Sequence, residues 1–437
     1  MKISSLPNKV VVTGLGLVTS LGNDGAHVWQ ALVSGTKGGA LAQAFPIQGW
    51  PNQVSCEVRD FCLDPRAILE SHLPLLNRMS RFAMQASFEA MYQAFGFDDL
   101  VSQQSLESHN MGASIGCGIG AVTPEELLFS VGETIHDFPD RVYHRHTELL
   151  SMRNHPGSLA ALLASRYRLG GPVSTIQTAC ASSGQALGEA YRTIKRGRAD
   201  RMLVVGADSL AAPLHTAGFT LIGALSKRNF DPPGASRPFD RERDGFVPGE
   251  GGAALVIETE ASALLRGAPI FAEIVGYGET LSAYRITDLP PDARGVYEAM
   301  VDSLDQAGIK PPLLDYVNLH GTSTELNDRV EALAIRRLYS DYFPKSCAVS
   351  STKSMTGHLI SGAGALEAAI CVMALYHQVV PPSANVQDTD CAADLDLVRD
   401  VGRKQRIRYA MSNSIGFGGS NSSLLFKRYN TAGNDED

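Results

Sequence analysis

The sequence predicts an α/β protein built from two related halves. Short apolar runs alternate with helical patterns along the chain, which is typical of a sheet whose strands are connected by helices. The apolar runs are nearly continuous, as expected for strands that are buried on both faces. Candidate strands cover residues 9–14, 111–118, 201–208, 252–258, 315–321 and 409–415, and candidate helices cover residues 78–95, 158–167, 182–196, 293–307, 325–339 and 363–377.

A weak internal repeat supports the division into two halves. The segments "GPVSTIQTACASSGQALGEAYRTIKRG" and "CAVSSTKSMTGHLISGAGALEAAICVMALYHQ" each run from an apolar strand through a turn of small residues into a long, Ala-rich helix. Both helices are nearly apolar on all sides, which predicts that both are buried. We therefore expect two halves of roughly 200 residues each, joined near residues 259–268.

The composition excludes several function classes. The 437 residues carry a formal net charge of −8, which argues against a nucleic-acid surface because phosphate neutralisation needs clustered Lys and Arg. Seven scattered cysteines without a CxxC pair fit free thiols in a reducing cytosol better than a disulfide framework. No run approaches the roughly 18 uninterrupted apolar residues of a membrane span, and the apolar run at the N-terminus is too short for a signal peptide. We expect a cytoplasmic protein that binds neither nucleic acid nor a membrane.

The stretch "TACASSG" places Cys180 among small residues, directly after the apolar run "PVSTIQ". One interpretation is packing, since small residues let a helix approach its neighbours closely and free cysteine is a common core residue. The other is a nucleophile at a strand-to-helix junction, where unpaired N–H groups would favour the thiolate and bind an oxyanion. This stretch by itself leaves both interpretations open.

Three further stretches carry residues that are typical of catalysis. "NLHGTSTELND" places His320 at the end of an apolar strand, and "SSTKSMTGHLISGAG" places Lys353 and His358 at a helix start, with Glu367 later in that helix. "SNSIGFGGSNSS" sets Phe417 in a glycine turn, whose backbone N–H groups can bind an anion. A thiol nucleophile needs a positive environment, and two imidazoles can polarise a thiolester carbonyl. These residues predict a cysteine acyltransferase with two histidines and leave its substrate open.

Together these stretches resemble the β-ketoacyl-acyl-carrier-protein synthases, in particular the type II elongating enzymes. The motifs "TACASSG", "SRPFDRERDGFVPGEGGAALVIE", "HGTSTELND", "SSTKSMTGH" and "GFGGSN" occur in the order and spacing of that family, over almost the whole chain. The resemblance implies a thiolase-type fold, in which two similar halves stack into five layers, α-β-α-β-α. It also implies a dimer and divides the chain into residues 1–260 with the nucleophile, 261–430 with the two histidines, and a disordered tail, 431–437.

The same resemblance implies a role for each residue of the centre. Cys180 would take an acyl group from the thiolester of an acyl carrier protein, and the backbone N–H groups of Cys180 and Phe417 would form the oxyanion hole. His320 and His358 would hold the malonyl thiolester carbonyl while decarboxylation makes it an enolate, which attacks the acyl group. Phe417 also matches the aromatic gate of the family.

Further residues match family positions around this centre. Lys353 would orient the site, with Glu367 as its charge partner. The residues expected to contact the substrate are Thr322, Thr324, Ile119 and Gly418. We expect no metal and no cofactor beyond the phosphopantetheine that the carrier itself bears.

Three departures from the family pattern bear on the pathway. Gly223 stands where the fatty-acid enzymes usually present an arginine to the carrier, and "SHLPLLNRMSRF" keeps only Arg78 and Arg81 where those enzymes are richer in basic residues. Arg285 in "SAYRITDLPP" stands where "YHMT" is common.

Carrier proteins are acidic, so fewer basic residues predict a weaker or differently placed docking patch, for which Lys227 and Arg228 could compensate. General fatty-acid synthesis and a type II polyketide or polyene pathway with its own carrier both stay open, as do a homodimer and a heterodimer with a chain-length-factor-like subunit.

Three other classes are disfavoured by the motifs. A catalytically silent chain-length-factor partner would lose the nucleophile, whereas this chain keeps Cys180, His320 and His358. A thiolase would need a second catalytic cysteine where this chain has turns rich in glycine and serine, and starter synthases carry Cys, His and Asn. The Cys-His-His set, with Lys353, disfavours both of these.

Overall fold

The computed structural model describes residues 9–96, 110–118, 152–210, 212–342 and 347–430. Ile119 and the tail 431–437, both named in the predictions, lie outside these ranges. The strands are β1 Val10–Val18, β2 Ala40–Leu41, β3 Val54–Ser55, β4 Met111–Cys117, β5 Val173–Ile176, β6 Arg201–Ser209, β7 Glu250–Thr259, β8 Ala272–Leu281, β9 Tyr316–Asn318, β10 Ala348–Ser350, β11 Val379–Val380, β12 Asp396–Leu397, β13 Arg403–Lys404, β14 Tyr409–Ile415 and β15 Ser420–Arg428. The α-helices are α1 Gly25–Val33, α2 Arg78–Phe95, α3 Ser158–Tyr167, α4 Ser182–Lys195, α5 Pro213–Leu221, α6 Glu260–Leu265, α7 Arg294–Ala307, α8 Glu325–Tyr339, α9 Lys353–Thr356 and α10 Ala363–His377.

The strand order shows the internal duplication. Within the described ranges, the main sheet has the order β12-β10-β9-β14-β15-β8-β1-β7-β6-β4-β5. In the N-terminal part, β4 lies parallel to β5 and β6, and β7 and β1 follow antiparallel. In the C-terminal part, β9 lies parallel to β10 and β14, and β15 and β8 follow antiparallel. The two similar halves are therefore confirmed, while their division at residue 260 stays a prediction.

The two halves of the sheet are packed as layers. Helices α4 and α10 contact each other and both halves of the sheet, and so form the central layer. Helices α2 and α3 cover the outer face of the N-terminal half, and α7 and α8 cover that of the C-terminal half. This order of helix, sheet, helix, sheet and helix confirms the five predicted layers. The strands β1 and β8 join the halves along one short contact, Val10–Val12 beside Ala272–Ile274.

Helix α10 is buried over almost its whole length, as its uniform hydrophobicity predicts. In the described part of the chain, the segment Ile360–His377 is also long and apolar enough to cross a membrane, but 89% of it is buried inside the protein. It therefore has the environment of a core helix.

The small residues around Cys180 serve packing as well as chemistry. A Cβ added at Gly364 on α10 would lie 2.4 Å from the backbone nitrogen of Gly184 on α4, so the two central helices cross with their backbones in contact. A Cβ at Gly116 on β4 would lie 2.3 Å from the nitrogen of Ser183. Larger side chains at these positions would push the nucleophile's helix away from both neighbours.

Candidate active site

Cys180 lies in a strained turn between β5 and α4. The turn Ala179–Ala181 is a single 3-10 turn, and Ala179 has a φ of +50°, a left-handed conformation that costs a non-glycine residue about 1–3 kcal/mol. The Ser182 hydroxyl fixes this turn, because its Oγ accepts the Thr178 N–H at 2.8 Å and donates to the Ala179 carbonyl at 2.6 Å. The thiol thereby faces the start of α4 and is 4% exposed.

Strained backbone recurs beside the other functional residues. Ser323 has a φ of +71° and lies between Thr322 and Thr324, which are predicted to contact the substrate. Ile360, two residues after His358, has a φ of +42°. Non-glycine residues in this region cluster at sites where the surrounding structure fixes a functional side chain. The sequence predicted a strand over residues 315–321, which would include His320. In the structure strand β9 ends at Asn318, so His320 lies in the turn that follows the strand.

The two histidines meet at the thiol. His358 Nε2 lies 3.2 Å from Cys180 Sγ, and the ring centroids of His320 and His358 are 5.2 Å apart at an interplanar angle of 82°. A nitrogen of each imidazole and the sulfur all lie within 4.8 Å of one another, and all three side chains are buried. The structure thus brings together the three residues that the sequence places 140 and 38 positions apart.

Hydrogen bonds on the far side of each ring fix its tautomer. The Ile360 N–H donates to His358 Nδ1 at 3.3 Å, and the Lys353 ammonium, which can only donate, lies 3.3 Å from His320 Nδ1. Burial, and then the Lys353 charge, hold the pKa of both imidazoles well below the ordinary range. Both rings are therefore neutral near pH 7, with their proton on Nε2. They present two uncharged N–H donors to the cleft.

The Cys180 sulfur and one nitrogen each of His320 and His358 lie close enough together to be metal ligands. A metal-bound histidine, however, donates its second N–H to an acceptor, which leaves the metal-facing nitrogen free of a proton. Here Nδ1 of both His320 and His358 faces a donor, so the proton is on the nitrogen that a metal would need. The arrangement fits hydrogen-bond donation better than metal binding.

Lys353 and Glu367 form a buried ion pair behind His320. Each side chain is 2% exposed, and Lys353 Nζ donates to Glu367 Oε1 and to the His320 carbonyl, the latter at 2.6 Å. Burial raises the pKa of Glu367 to about 7, and the Lys353 charge opposes this rise. The pair therefore fixes both the backbone and the ring of His320, and neither member lines the cleft.

The environment of Cys180 opposes ionisation of the thiol. Burial raises its pKa to about 12, whereas the Lys353 charge and the Phe417 N–H lower it and Glu367 raises it. The influence of the Phe417 N–H on the thiol places this group near the sulfur, and the family resemblance implies that it is one of the two oxyanion-hole donors. The glycine turn reaches this position because a Cβ at Gly416 would lie 2.7 Å from the Thr178 carbonyl.

A cleft whose lining includes Cys180, His320 and His358 leads to the thiol. Thr322 and Thr324 lie on its wall with their hydroxyl oxygens 2.9 Å apart. Gly418, predicted to bind substrate, is exposed and donates its N–H to the Ile286 carbonyl at 2.7 Å, and it does not line the cleft. Ile286–Leu289 also line the cleft. The sequence showed their stretch "SAYRITDLPP" only as a departure from the family pattern, and nothing in it predicted a wall of the cleft.

A second missed residue is Glu331, which is fully buried on α8. Its two carboxylate oxygens accept the N–H groups of His320 and Gly321, each at 2.8 Å, and burial raises its pKa to about 7. A signal was present in the sequence, since Asp328 and Glu331 fall three residues apart on the same face as the apolar Ile335 of this helix. A carboxylate on a buried helix face needs a partner in the fold.

Comparison with known proteins identifies the family. Residues 7–263 match the model of "Beta-ketoacyl synthase, N-terminal domain" and residues 271–387 match "Beta-ketoacyl synthase, C-terminal domain". The chain is 39% identical to "3-oxoacyl-[acyl-carrier-protein] synthase 2" of Coxiella burnetii over 427 residues, which cover 96% of this chain and 98% of that protein.

Two solved structures have the same fold. The ishigamide ketosynthase/chain length factor has a TM-score of 0.86 and 30% identity, covering 97% of this chain and all of that one. A type II PKS acyl-carrier protein in complex with its ketosynthase bound to the hexaketide has a TM-score of 0.85 and 31% identity, with the same coverage. Because the two family models together span most of the chain, the protein belongs to the beta-ketoacyl synthase family.

Proposed function

We propose that Cys180, His320 and His358 carry out the decarboxylative condensation by which a ketosynthase joins an acyl chain to malonyl-acyl-carrier protein, in fatty-acid or polyketide synthesis. The observation that carries this proposal is the grouping of the thiol with two neutral imidazoles: His358 Nε2 lies 3.2 Å from Cys180 Sγ, and a nitrogen of each ring and the sulfur lie within 4.8 Å of one another. Such a centre can bind negative charge on a thiolester oxygen twice, once in each half-reaction.

The first half-reaction loads the acyl chain. Cys180 Sγ attacks the thiolester carbonyl of the acyl-carrier protein, and the N–H groups of Cys180 and Phe417 bind the oxygen of the tetrahedral intermediate. A bond from Sγ to the carbonyl carbon forms, and the bond from that carbon to the arm's sulfur breaks. The thiol proton ends on the departing arm, so the step needs no net acid or base.

The second half-reaction forms the carbon–carbon bond. The malonyl thiolester carbonyl accepts the Nε2–H groups of His320 and His358, and the bond to the carboxylate breaks, releasing carbon dioxide and leaving an enolate. Its carbon attacks the acyl carbonyl on Cys180, the bond from that carbonyl carbon to Sγ breaks, and the thiolate takes up one proton from solvent, so the half-reaction consumes one proton. Preorganised donors in a dry site are worth several kcal/mol to such an enolate. Phe246, whose ring centroid lies 5.3 Å from that of His358, keeps one side of the pair apolar.

The chemistry needs no group beyond the carrier's own arm. Thr322 and Thr324, on the cleft wall, supply hydroxyls for the arm's amides. We assign the reaction to the cytoplasm because all seven cysteines are free, which fits a reducing compartment.

We propose a dimer of two ketosynthase-fold chains that pair through β5. This strand ends the described sheet, so one of its edges is unpaired, and Val173 on it is 45% exposed. An unpaired edge is a template for a second strand. The partner is a second copy of this chain in a fatty-acid pathway, or a chain-length-factor-like subunit in a polyketide or polyene pathway.

The native mass of the purified chain tests this assembly. We expect about twice the chain mass of 46.7 kDa, and Val173→Lys should shift it to one chain because a charge at the edge opposes strand pairing. Val401→Lys is the control, since Val401 is exposed in a loop. A wild-type chain that is monomeric and active contradicts the dimer. If the chain is monomeric and becomes active only when a chain-length-factor subunit is added, the dimer is the heterodimer, and the pathway is that of a polyketide or polyene.

Removing either imidazole should strongly slow the decarboxylation of the malonyl thiolester. We expect His320→Ala and His358→Ala to slow carbon dioxide release from malonyl-carrier protein about 100-fold or more, the usual cost of one lost oxyanion donor. The control is His377→Ala, since His377 stacks on Trp29 outside the cleft. Carbon dioxide release at the wild-type rate in either site variant would refute the donor role.

The buried charges of Lys353 and Glu367 should have opposite effects on the reactivity of Cys180, because the first lowers and the second raises the pKa of the thiol. Lys353→Met removes the cation that lowers the thiol's pKa, so alkylation by iodoacetamide at pH 8 should slow about tenfold, and Glu367→Gln should accelerate it. The exposed Cys62 in the same sample is the internal reference.

Because breaking a buried pair is destabilising, the double variant Lys353→Met with Glu367→Gln is measured too. It should react more slowly than wild type, since the effect of Lys353 exceeds that of Glu367. Equal rates in all variants would contradict the assignment.

A further inference from the structure

The rim of the cleft has an unusual surface. The segment 281–289, here called the rim segment, connects β8 to the loop before α7, and its last four residues line the cleft that holds Cys180. Three of its apolar side chains are exposed: Leu281 by 66%, Tyr284 by 50% and Ile286 by 82%. Exposed apolar side chains grouped beside a binding cleft mark a surface that contacts a ligand or partner.

Arg285 lies in the middle of this surface, and its guanidinium is held in place. Its Nη1 donates to Asp288 Oδ2 at 3.1 Å, and its Cζ lies 5.3 Å from the centroid of the Tyr284 ring. The side chain is still 66% exposed. Since Asp288 takes only Nη1, Nε and Nη2 have no acceptor among the described residues and can donate to a ligand.

The rim segment is fixed to the catalytic turn. The Gly418 N–H donates to the Ile286 carbonyl at 2.7 Å, and the Ser282 N–H donates to the Gly419 carbonyl at 2.8 Å. Arg285 stands between these two anchors. The cleft lining goes from the buried Cys180 to the exposed Ile286 and Thr287, so a thiolester arm that enters on this exposed side has its outer end at the rim segment.

We propose that Arg285 binds the phosphodiester at the outer end of the carrier's phosphopantetheine arm; this inference rests on the proposed function. The phosphodiester is the charged group of an arm that otherwise carries amides, a hydroxyl and methyl groups. A planar guanidinium with two free donor nitrogens matches two phosphate oxygens. Tyr284 and Ile286 contact the apolar part of the arm where it leaves the cleft.

Other basic residues that the sequence nominated for the carrier are already engaged. Arg78 donates to the buried carboxylate of Glu250 and to the Val58 carbonyl, and Arg228 pairs with Glu242 at 3.0 Å. Gly223 supplies no charge. Arg81 and Lys227 do not line the cleft, whereas Arg285 directly precedes the lining residue Ile286 and uses only Nη1 in its pair with Asp288. Arg285, the position at which this chain departs from the common "YHMT", is therefore the basic residue best placed for the anionic end of the arm.

The test compares two small thiolesters that differ only in the phosphate. The hexanoyl thiolesters of phosphopantetheine and of pantetheine are used to acylate Cys180 in wild type, Arg285→Glu and Arg294→Glu. Arg294 is a matched control because it is 71% exposed, is paired with Glu298, and does not line the cleft. The measured quantity is the ratio of the KM for the phosphorylated thiolester to that for the unphosphorylated one.

In Arg285→Glu we expect the ratio of the two KM values, phosphorylated over unphosphorylated, to rise about tenfold, which corresponds to the loss of one charge-assisted hydrogen bond. In Arg294→Glu we expect the wild-type ratio. The wild-type ratio in Arg285→Glu overturns the proposal. So does a defect that appears only with the whole carrier protein, because Arg285 would then contact the carrier's own carboxylates. If wild type is acylated by neither thiolester nor by a carrier thiolester, it is the proposed function that fails.

Discussion

The site depends on one buried cation. Lys353 is taken out of water together with Glu367, a cost that only good geometry and further hydrogen bonds can offset. Its ammonium supplies them by donating to the His320 carbonyl and lying beside His320 Nδ1. The same charge lowers the pKa of both imidazoles and that of Cys180. The Lys353 charge therefore adds to burial in keeping the histidines neutral, fixes the tautomer of His320 and partly offsets the burial that raises the pKa of Cys180.

The duplicated fold explains how distant residues meet at that cation. Strand β5, its turn and α4 deliver Cys180, and the equivalent unit of the second half, β10 through α10, delivers Lys353, His358 and Glu367. The two helices cross at Gly184 and Gly364, where only glycine lets the backbones touch. Packing and catalysis are thus not alternatives for the small residues around the thiol: close crossing of the helices brings the two turns together.

The sequence predicted what lies in continuous patterns: the order of strands and helices, the buried character of α10, and the turns that carry Cys180, His320 and His358. It could not predict contacts that depend on separate segments. Glu331 binds the backbone of His320 from another element, and the segment that contains Ile286–Leu289 is bonded to the catalytic turn through Ile286 to Gly418 and through Ser282 to Gly419. The tautomers follow from Ile360 and Lys353, whose positions relative to the rings exist only in the folded chain.

The central claim is that Cys180 carries the acyl chain, and the mass of the intact protein tests it most directly. The chain is incubated with an acyl-carrier-protein thiolester and weighed, beside Cys180→Ala and the exposed-thiol control Cys62→Ala. We predict that wild type and Cys62→Ala gain the mass of one acyl group and that Cys180→Ala gains none. An acyl adduct on Cys180→Ala, or no adduct on wild type with any carrier, would contradict the account.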